Sequence, residues 1–186
     1  MNAVYKFGWI PDQERKYEYP NVFAIEKTTG PERLIIAPTS QQVSLILDLL
    51  YTMTEPFCIL YVLIVPRGGS QAGRYQVSQP IAKSEAEMFF LRFEEFFESD
   101  GRHHIWIGSE FTSDLLVYDN HNVIYAYGRL QEFERLLVKR GLANVDCVRF
   151  PSPHTHKYNE AFDEKEREVL RCWEWRHFPL QSSDDP

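Results

Sequence analysis

The sequence predicts an α+β domain, in which a mixed β-sheet of about five to seven strands with one antiparallel hairpin packs against about four helices. Three observations support this prediction. The 186 residues are 44% hydrophobic and 15% aromatic, which is enough for one substantial core. Segments with strand-like patterns alternate with segments of helical periodicity. Two strand-like segments are joined by a short turn of Asp and Asn residues, which indicates the hairpin.

The first half of the chain alternates strands with helices. Residues 33–37, RLIIA, follow a Gly-Pro pair and form a short β-branched run, which predicts a strand. Thr39 and Gln42 fit a capping box, so a helix should begin there. The apolar run 57–65 has no alternation, which is typical of a central strand covered by helices on both faces. The Gly-rich segment 66–80 is expected to be a long loop.

The second half should begin with a phenylalanine-rich helix, since Ser84 and Glu87 fit another capping box and Gly101 is a suitable stop. Three strands should follow, then a helix that ends at Gly141, then a short strand. Residues 159–178 should form the last helix, because their acidic side chains come early, as the helix dipole favours. The expected domain covers residues 1–180, and 181–186 form a disordered tail.

The charge of the chain restricts the class of partner. The formal net charge is −7, with 27 acidic and 20 basic side chains. A phosphate backbone would be repelled by such a protein, so a nucleic-acid partner is not expected. A basic protein partner is favoured instead, because opposite charge steers association.

The hydrophobic pattern and the cysteines predict a cytoplasmic protein that does not enter the membrane. The longest apolar run, 57–65, has nine residues, whereas a spanning helix needs roughly 20. The first residues lack the apolar stretch of a secretory signal. Cys58, Cys147 and Cys172 are too few and too scattered for a disulfide framework.

The tandem histidines His103 and His104 should begin a strand, and successive side chains of a strand point to opposite faces. The two imidazoles therefore cannot bind one metal ion. If residues 120–121 form the hairpin turn, Tyr118 pairs with Val123. One face of the sheet should then carry amphipathic aromatic residues, the type enriched at interface hot spots. This candidate partner-binding face consists of His104, Trp106, Tyr118, Tyr125 and Tyr127.

The loop PRGGSQAGR is a candidate anion-binding segment. It follows a buried strand, where many α/β proteins bind anions, and it carries Arg67, Gly68, Gly69 and Arg74. The loop lacks the lysine of a phosphate-binding P-loop, and the next helix begins far downstream. A surface connection explains it more simply.

Two further groups of residues could carry chemistry. His154 and His156 would project in one direction from an extended segment, with His177 and Cys147 as candidate additional ligands. Two imidazoles are fewer than the three or four ligands of zinc sites, so no metal ion is predicted. Asp119 and His121 in the hairpin turn could make an acid-base pair with a residue from elsewhere in the chain, although turn formation explains them more simply.

These observations favour a non-catalytic, cytoplasmic protein-binding domain without a cofactor. An acidic inhibitor of the immunity type, which neutralises a basic partner, is the most specific version, and a homo-oligomer is left open. The alternative is a small hydrolase that uses His104, Asp119, His121 or the pair His154 and His156. The absence of a recognised nucleophile motif argues against the alternative.

Overall fold

A nine-stranded mixed sheet forms the centre of the protein in a computed structural model that describes residues 4–9 and 15–184. The strand order is β10-β3-β4-β9-β8-β7-β5-β6-β12, and a second sheet has the order β11-β1-β2. The strands are β1 (Phe7–Trp9), β2 (Arg15–Lys16), β3 (Val22–Glu26), β4 (Arg33–Ala37), β5 (Phe57–Leu63), β6 (Gly73–Val77), β7 (His103–Ser109), β8 (Leu115–Tyr118), β9 (Ile124–Tyr127), β10 (Ala143–Asn144), β11 (His154–His156) and β12 (Trp175–Phe178). All neighbouring pairs are antiparallel except β10 with β3. The α+β class is confirmed, with more strands than expected.

All the α-helices of the described residues pack on one face of the large sheet. They are α1 (Gln42–Thr52), α2 (Lys83–Arg92), α3 (Glu94–Ser99), α4 (Leu130–Lys139) and α5 (Asp163–Arg171). Their apolar side chains join the inner residues of the strands in one large core. Within the described residues, no helix is long and apolar enough to cross a membrane.

The expectation of helices on both faces is wrong. In β5, Ile59 and Tyr61 are buried under the helices, whereas Cys58 and Leu60 on the opposite face are half-buried. The small sheet covers part of that opposite face. There, Phe7 and Tyr19 pack with Ala24, Ile35, Ala37, Val123 and Val148 in a second core that contains no helical residue.

Several boundaries differ from the sequence prediction. The predicted loop 66–80 contains β6, and the extended segment with His154 and His156 forms β11. The predicted last helix ends at Arg171, and its final turns are replaced by β12. These segments carry a mixture of polar and aromatic residues. Each pairs with a strand far away in the chain, since β12 pairs with β6 and β11 pairs with β1. The phenylalanine-rich helix is divided at Phe93 into α2 and α3.

The hairpin register differs by one residue from the prediction, and this moves side chains to the other face. Tyr118 pairs with Ile124, and Val117 pairs with Tyr125. The turn is longer than two residues, because the N–H of Asp119 bonds to the carbonyl of Val123 at 3.0 Å. A slip of one residue exchanges the two faces of a strand. Tyr118 therefore lies in the helix-covered core, and its assignment to the candidate partner-binding face is wrong.

Lys6 anchors β1 in the interior next to the helices. Its side chain is fully buried, its Nζ donates to the carbonyl of Phe97 at 3.0 Å, and it lies 3.8 Å from the centroid of the Tyr118 ring. Burial lowers the pKa of Lys6 to about 7, although the negative charges of Asp119 and Asp100 oppose this effect.

This burial predicts that Lys6 makes stability depend on pH. The folded-state pKa of about 7 lies below the ordinary 10.5, so the unfolded chain binds more protons at any pH between these values. The free energy of unfolding should therefore rise with pH across this window, by up to about 1.4 kcal/mol per pH unit from this residue. Urea unfolding as a function of pH measures the slope, which Lys6→Met should remove. The exposed Lys27→Met is the control, and an unchanged slope in Lys6→Met would contradict the prediction.

Candidate metal centre

Three imidazoles meet where the small sheet packs against the hairpin. His121 lies in the turn between β8 and β9, and His154 and His156 lie on β11. One potential ligand atom from each residue lies within 4.8 Å of the other two. The ring centroids of His121 and His156 are 4.7 Å apart, and those of His121 and His154 are 5.0 Å apart. This cluster, the three-histidine site, is a candidate metal centre.

The strand geometry of β11 explains why two of the three histidines lie together. His154 and His156 are two residues apart and therefore lie on the same face of the strand, as the sequence indicates. The neighbouring strand β1 contributes Phe7, which pairs with His156 in the register. The centroid of the Phe7 ring lies 5.1 Å from His121, 5.3 Å from His154 and 5.6 Å from His156. The phenyl ring thus packs against all three imidazoles.

Each imidazole has a hydrogen-bond partner at Nδ1. His154 Nδ1 lies 3.1 Å from the carbonyl of Pro151, and His156 Nδ1 lies 3.1 Å from the carbonyl of Asn120. A carbonyl oxygen can only accept, so the proton of each neutral ring must be on Nδ1. His121 Nδ1 lies 3.1 Å from Oδ2 of Asp119. The Nε2 lone pairs remain available, and metal-binding histidines are oriented by bonds of this kind.

Asp119 orients His121 through its backbone as well as its ring. Its Oδ1 accepts from the N–H of His121 and from the N–H of Val123, both at 2.9 Å. Burial alone would raise the pKa of this carboxyl, but interactions that include the hydrogen bonds from the His121 ring and the Val123 N–H hold the pKa below its usual value. Asp119 is therefore an anion at neutral pH.

Burial favours a neutral imidazole at His156. Burial, together with the nearby His121 and His154, lowers the pKa of His156 to about 4. A neutral imidazole is the form that binds a metal ion. His154 is exposed, so an ion bound here could also reach solvent.

In the sequence these residues fall into two unrelated groups, and no metal ion is predicted from them. The structure brings Asp119, His121, His154 and His156 together. The other two candidate ligands lie elsewhere: His177 is on β12, with Nε2 3.4 Å from the carbonyl of Ala72, and Cys147 is exposed outside the cluster. Phe7 is the residue that sequence reasoning misses, since nothing local links it to the histidines.

His104 and the rest of the candidate partner-binding face lie on the side of the sheet without helices. His103 and His104 point to opposite faces, as predicted: His103 packs against Phe96 with ring centroids 4.6 Å apart, and His104 is buried on the other side. Trp106 and Tyr125 both lie opposite Val117 and are half-buried.

Tyr125 and Tyr127 interact with a cation on the same face of the sheet. The guanidinium of Arg33 lies 4.4 Å from the centroid of Tyr125, and its Nη1 donates to the hydroxyl of Tyr127 at 2.9 Å. Tyr127 is half-buried. Four of the five residues predicted for the partner-binding face therefore share one side of the sheet, and Tyr118 does not.

The Gly-rich loop holds an anion that belongs to the chain itself. The backbone N–H groups of Arg67 and Gly68 donate to the Glu166 carboxylate, each at 2.9 Å. The same carboxylate accepts from Nη1 of the fully buried Arg102 at 2.7 Å. Gly69 has a φ of +85°, which suits glycine. These backbone donors fix the loop to α5.

Arg74, the other arginine of the candidate anion-binding loop, lies on β6. Its guanidinium is 5.4 Å from the centroid of Trp106, and its Nε is 3.6 Å from Oδ2 of Asp184. Asp184 is buried and belongs to the segment expected to be a disordered tail, of which residues 185 and 186 lie outside the described residues.

Comparisons of the chain with known protein families, with curated proteins and with solved structures find no match.

The hydrogen bonds at Nδ1 predict the tautomers of the three histidines. In the metal-free protein at about pH 8, above the usual histidine pKa, His121, His154 and His156 should carry the proton on Nδ1. Long-range ¹H–¹⁵N correlation spectra of the imidazoles measure this directly. His177 is the matched control, because its Nε2 faces a carbonyl and should be protonated instead. Protonated Nε2 atoms on two of the three histidines would contradict the arrangement.

Proposed function

We propose that this protein binds a zinc ion through His121, His154 and His156 and uses a metal-bound water for hydrolysis. The observation that carries the proposal is the set of hydrogen bonds at Nδ1, each 3.1 Å long, which leaves Nε2 available on each of three histidines that have one ring nitrogen apiece within 4.8 Å of the others. Metal ligation by histidine normally relies on such partners, because they set the ring orientation and the tautomer.

The donor set favours a metal of intermediate softness. Imidazole ligands suit zinc, copper, iron and nickel, whereas calcium and magnesium prefer oxygen ligands. Three protein ligands leave the fourth position of a tetrahedral zinc ion for water, which is the pattern of catalytic zinc sites. Because all three ligands are neutral, the full charge of the ion acts on that water and can lower its pKa to about 7. The bound water can then act as hydroxide at neutral pH.

Asp119 is the positioning residue of this site. A carboxylate behind a zinc-bound histidine holds the ring in place and makes it a stronger ligand. The buried, ionised Asp119 meets this requirement through Oδ2, while its Oδ1 holds the turn. The small hydrolase, which the sequence left as the alternative function, is thus supported by residues that the sequence alone did not link to one another.

A protein-binding function remains the second candidate. It is supported by the half-buried Trp106, Tyr125 and Tyr127 on the helix-free side of the sheet and by the net charge of −7, which suits a basic partner. We place the protein in the cytoplasm, a proposal supported by three cysteines that form no disulfide. If the protein-binding function is correct, the protein forms a complex with its partner. Trp106→Ala should weaken this complex, and His154→Ala should leave it intact.

Zinc titration of the metal-free protein tests the main proposal. Isothermal calorimetry should give one zinc ion per chain, and His121→Ala, His154→Ala and His156→Ala should each abolish stoichiometric binding. Asp119→Asn keeps the shape of the side chain and should weaken zinc binding by about 10- to 100-fold. Hydrolysis of 4-nitrophenyl acetate should depend on the bound zinc in the same way.

The control for this experiment is His177→Ala, which should bind zinc as the wild type does, because His177 lies on β12. Circular dichroism of each variant tests whether the fold is retained. If the folded His156→Ala protein binds zinc with unchanged affinity, the ion binds elsewhere and the proposal is wrong.

A further inference from the structure

The outer face of α2 carries exposed apolar side chains near its centre. Met88 and Leu91 lie about one helical turn apart and are 64% and 51% exposed. The inner face of the same helix is occupied by Ala86, Phe89 and Phe90, which are buried in the large core. Apolar side chains that are grouped on the surface of a folded protein often mark an interaction surface.

A groove of about 380 Å³ lies between α2 and the segment that follows α5. The residues that line it are Glu85, Met88, Phe89, Arg92, Cys172 and Trp173. The half-buried ring of Trp173 packs on Phe89 with the centroids 4.6 Å apart. The four lining residues of α2 have the spacing i, i+3, i+4 and i+7, which is the arrangement that receives a side chain from a neighbouring helix. The groove therefore fits a side chain of a second helix.

Opposite charges flank the centre of α2. Glu85 lies in its first turn and Arg92 in its last turn. The interval between them is almost two helical turns, so both side chains lie on the same side of the helix, about 10 Å apart along its axis. Glu85 accepts from the N–H of Ala82 at 2.8 Å, and Arg92 donates to Glu168 at 3.1 Å. Since a carboxylate has two oxygens and a guanidinium has five N–H groups, both can bind a further partner.

We propose that two copies of this protein associate through α2 about a two-fold axis, with the two helices antiparallel. A two-fold interface brings one surface onto itself in the reverse direction. The axis passes close to Met88, which lies beside the middle of the interval from Glu85 to Arg92. Glu85 of each copy then faces Arg92 of the other copy, and Met88 of each copy enters the groove of the other. This inference goes beyond the proposed function and does not rest on it.

The charges near the axis favour a second copy over a different partner. A uniformly basic partner would be repelled by Arg92 and a uniformly acidic one by Glu85, whereas a second copy in the reverse direction matches both charges. The net charge of −7 on each copy does not prevent this association. At physiological ionic strength the Debye length is about 8 Å, so charges elsewhere on the two copies are largely screened.

Sedimentation equilibrium of the full chain tests the association. The wild type should have twice the chain mass of 22.0 kDa, with a Kd of about 1 μM or lower, as for protein interfaces of standard size. Met88→Lys should raise this Kd by at least about 100-fold, because two unpaired ammonium groups would meet at the axis. Val138→Lys, at an exposed position on α4, is the matched control and should leave the Kd unchanged.

Charge reversal tests the antiparallel arrangement. Glu85→Arg places like charges at both ends of the interface and should raise the Kd by about 10- to 100-fold, and Arg92→Glu should do the same. The double variant that carries both substitutions restores opposite charges across the axis and should recover most of the wild-type affinity. Circular dichroism of each variant tests whether the helices are retained.

Three results would overturn the inference. The first is a wild type that stays monomeric at about 100 μM, well above the micromolar Kd of a weak interface of standard size. The second is a dimer that the folded Met88→Lys protein forms with unchanged affinity, since the copies would then meet through another face. The third is a double charge variant that associates no better than Glu85→Arg alone. His154→Ala should remain dimeric, because the three-histidine site lies on the side of the large sheet without helices.

Discussion

The carboxylate of Asp119 is the interaction on which the hairpin and the candidate site both depend. It accepts two backbone N–H bonds within the turn, from His121 and Val123, and it accepts a third bond from the His121 ring. The backbone bonds close a turn longer than two residues, and the length of the turn sets the strand register. By setting that register, the side chain of Asp119 determines which face of the sheet Tyr118 occupies and where His121 points.

The small sheet provides the other half of the site, and it is attached by buried polar groups as well as by apolar packing. Lys6 reaches the carbonyl of Phe97 from β1, and Asn159, just after β11, donates to the carboxylate of Asp100 at 2.7 Å. Asp100 also binds the buried Arg102. The position of the candidate ligands on β11 therefore depends on an ionic network that continues into α5 and the Gly-rich loop. A substitution in this network should alter the positions of the histidines, because buried polar groups tolerate little loss of their hydrogen-bond partners.

Much of the large sheet and its helices could be predicted from local patterns. The RLIIA run, the apolar run after Pro56 and the alternation of the hairpin strands lie in strands of the large sheet, and the helices with strong apolar faces lie in the large core. Short strands such as β11 and β12 could not be predicted, because their pairing partners are far away in the chain. A strand of three or four residues has little periodicity of its own.

The sequence by itself determined the residue types and local geometry of the site: two histidines two residues apart, and an Asp with a His in a turn. It also determined that His103 and His104 lie on opposite faces, because strand geometry is a local property. Only the tertiary structure decided that the turn at His121 meets β11 and that Phe7 lies among the imidazoles. The physical reason is that these contacts join segments more than 30 residues apart, and their pairing is set by packing over the whole sheet rather than by any local preference.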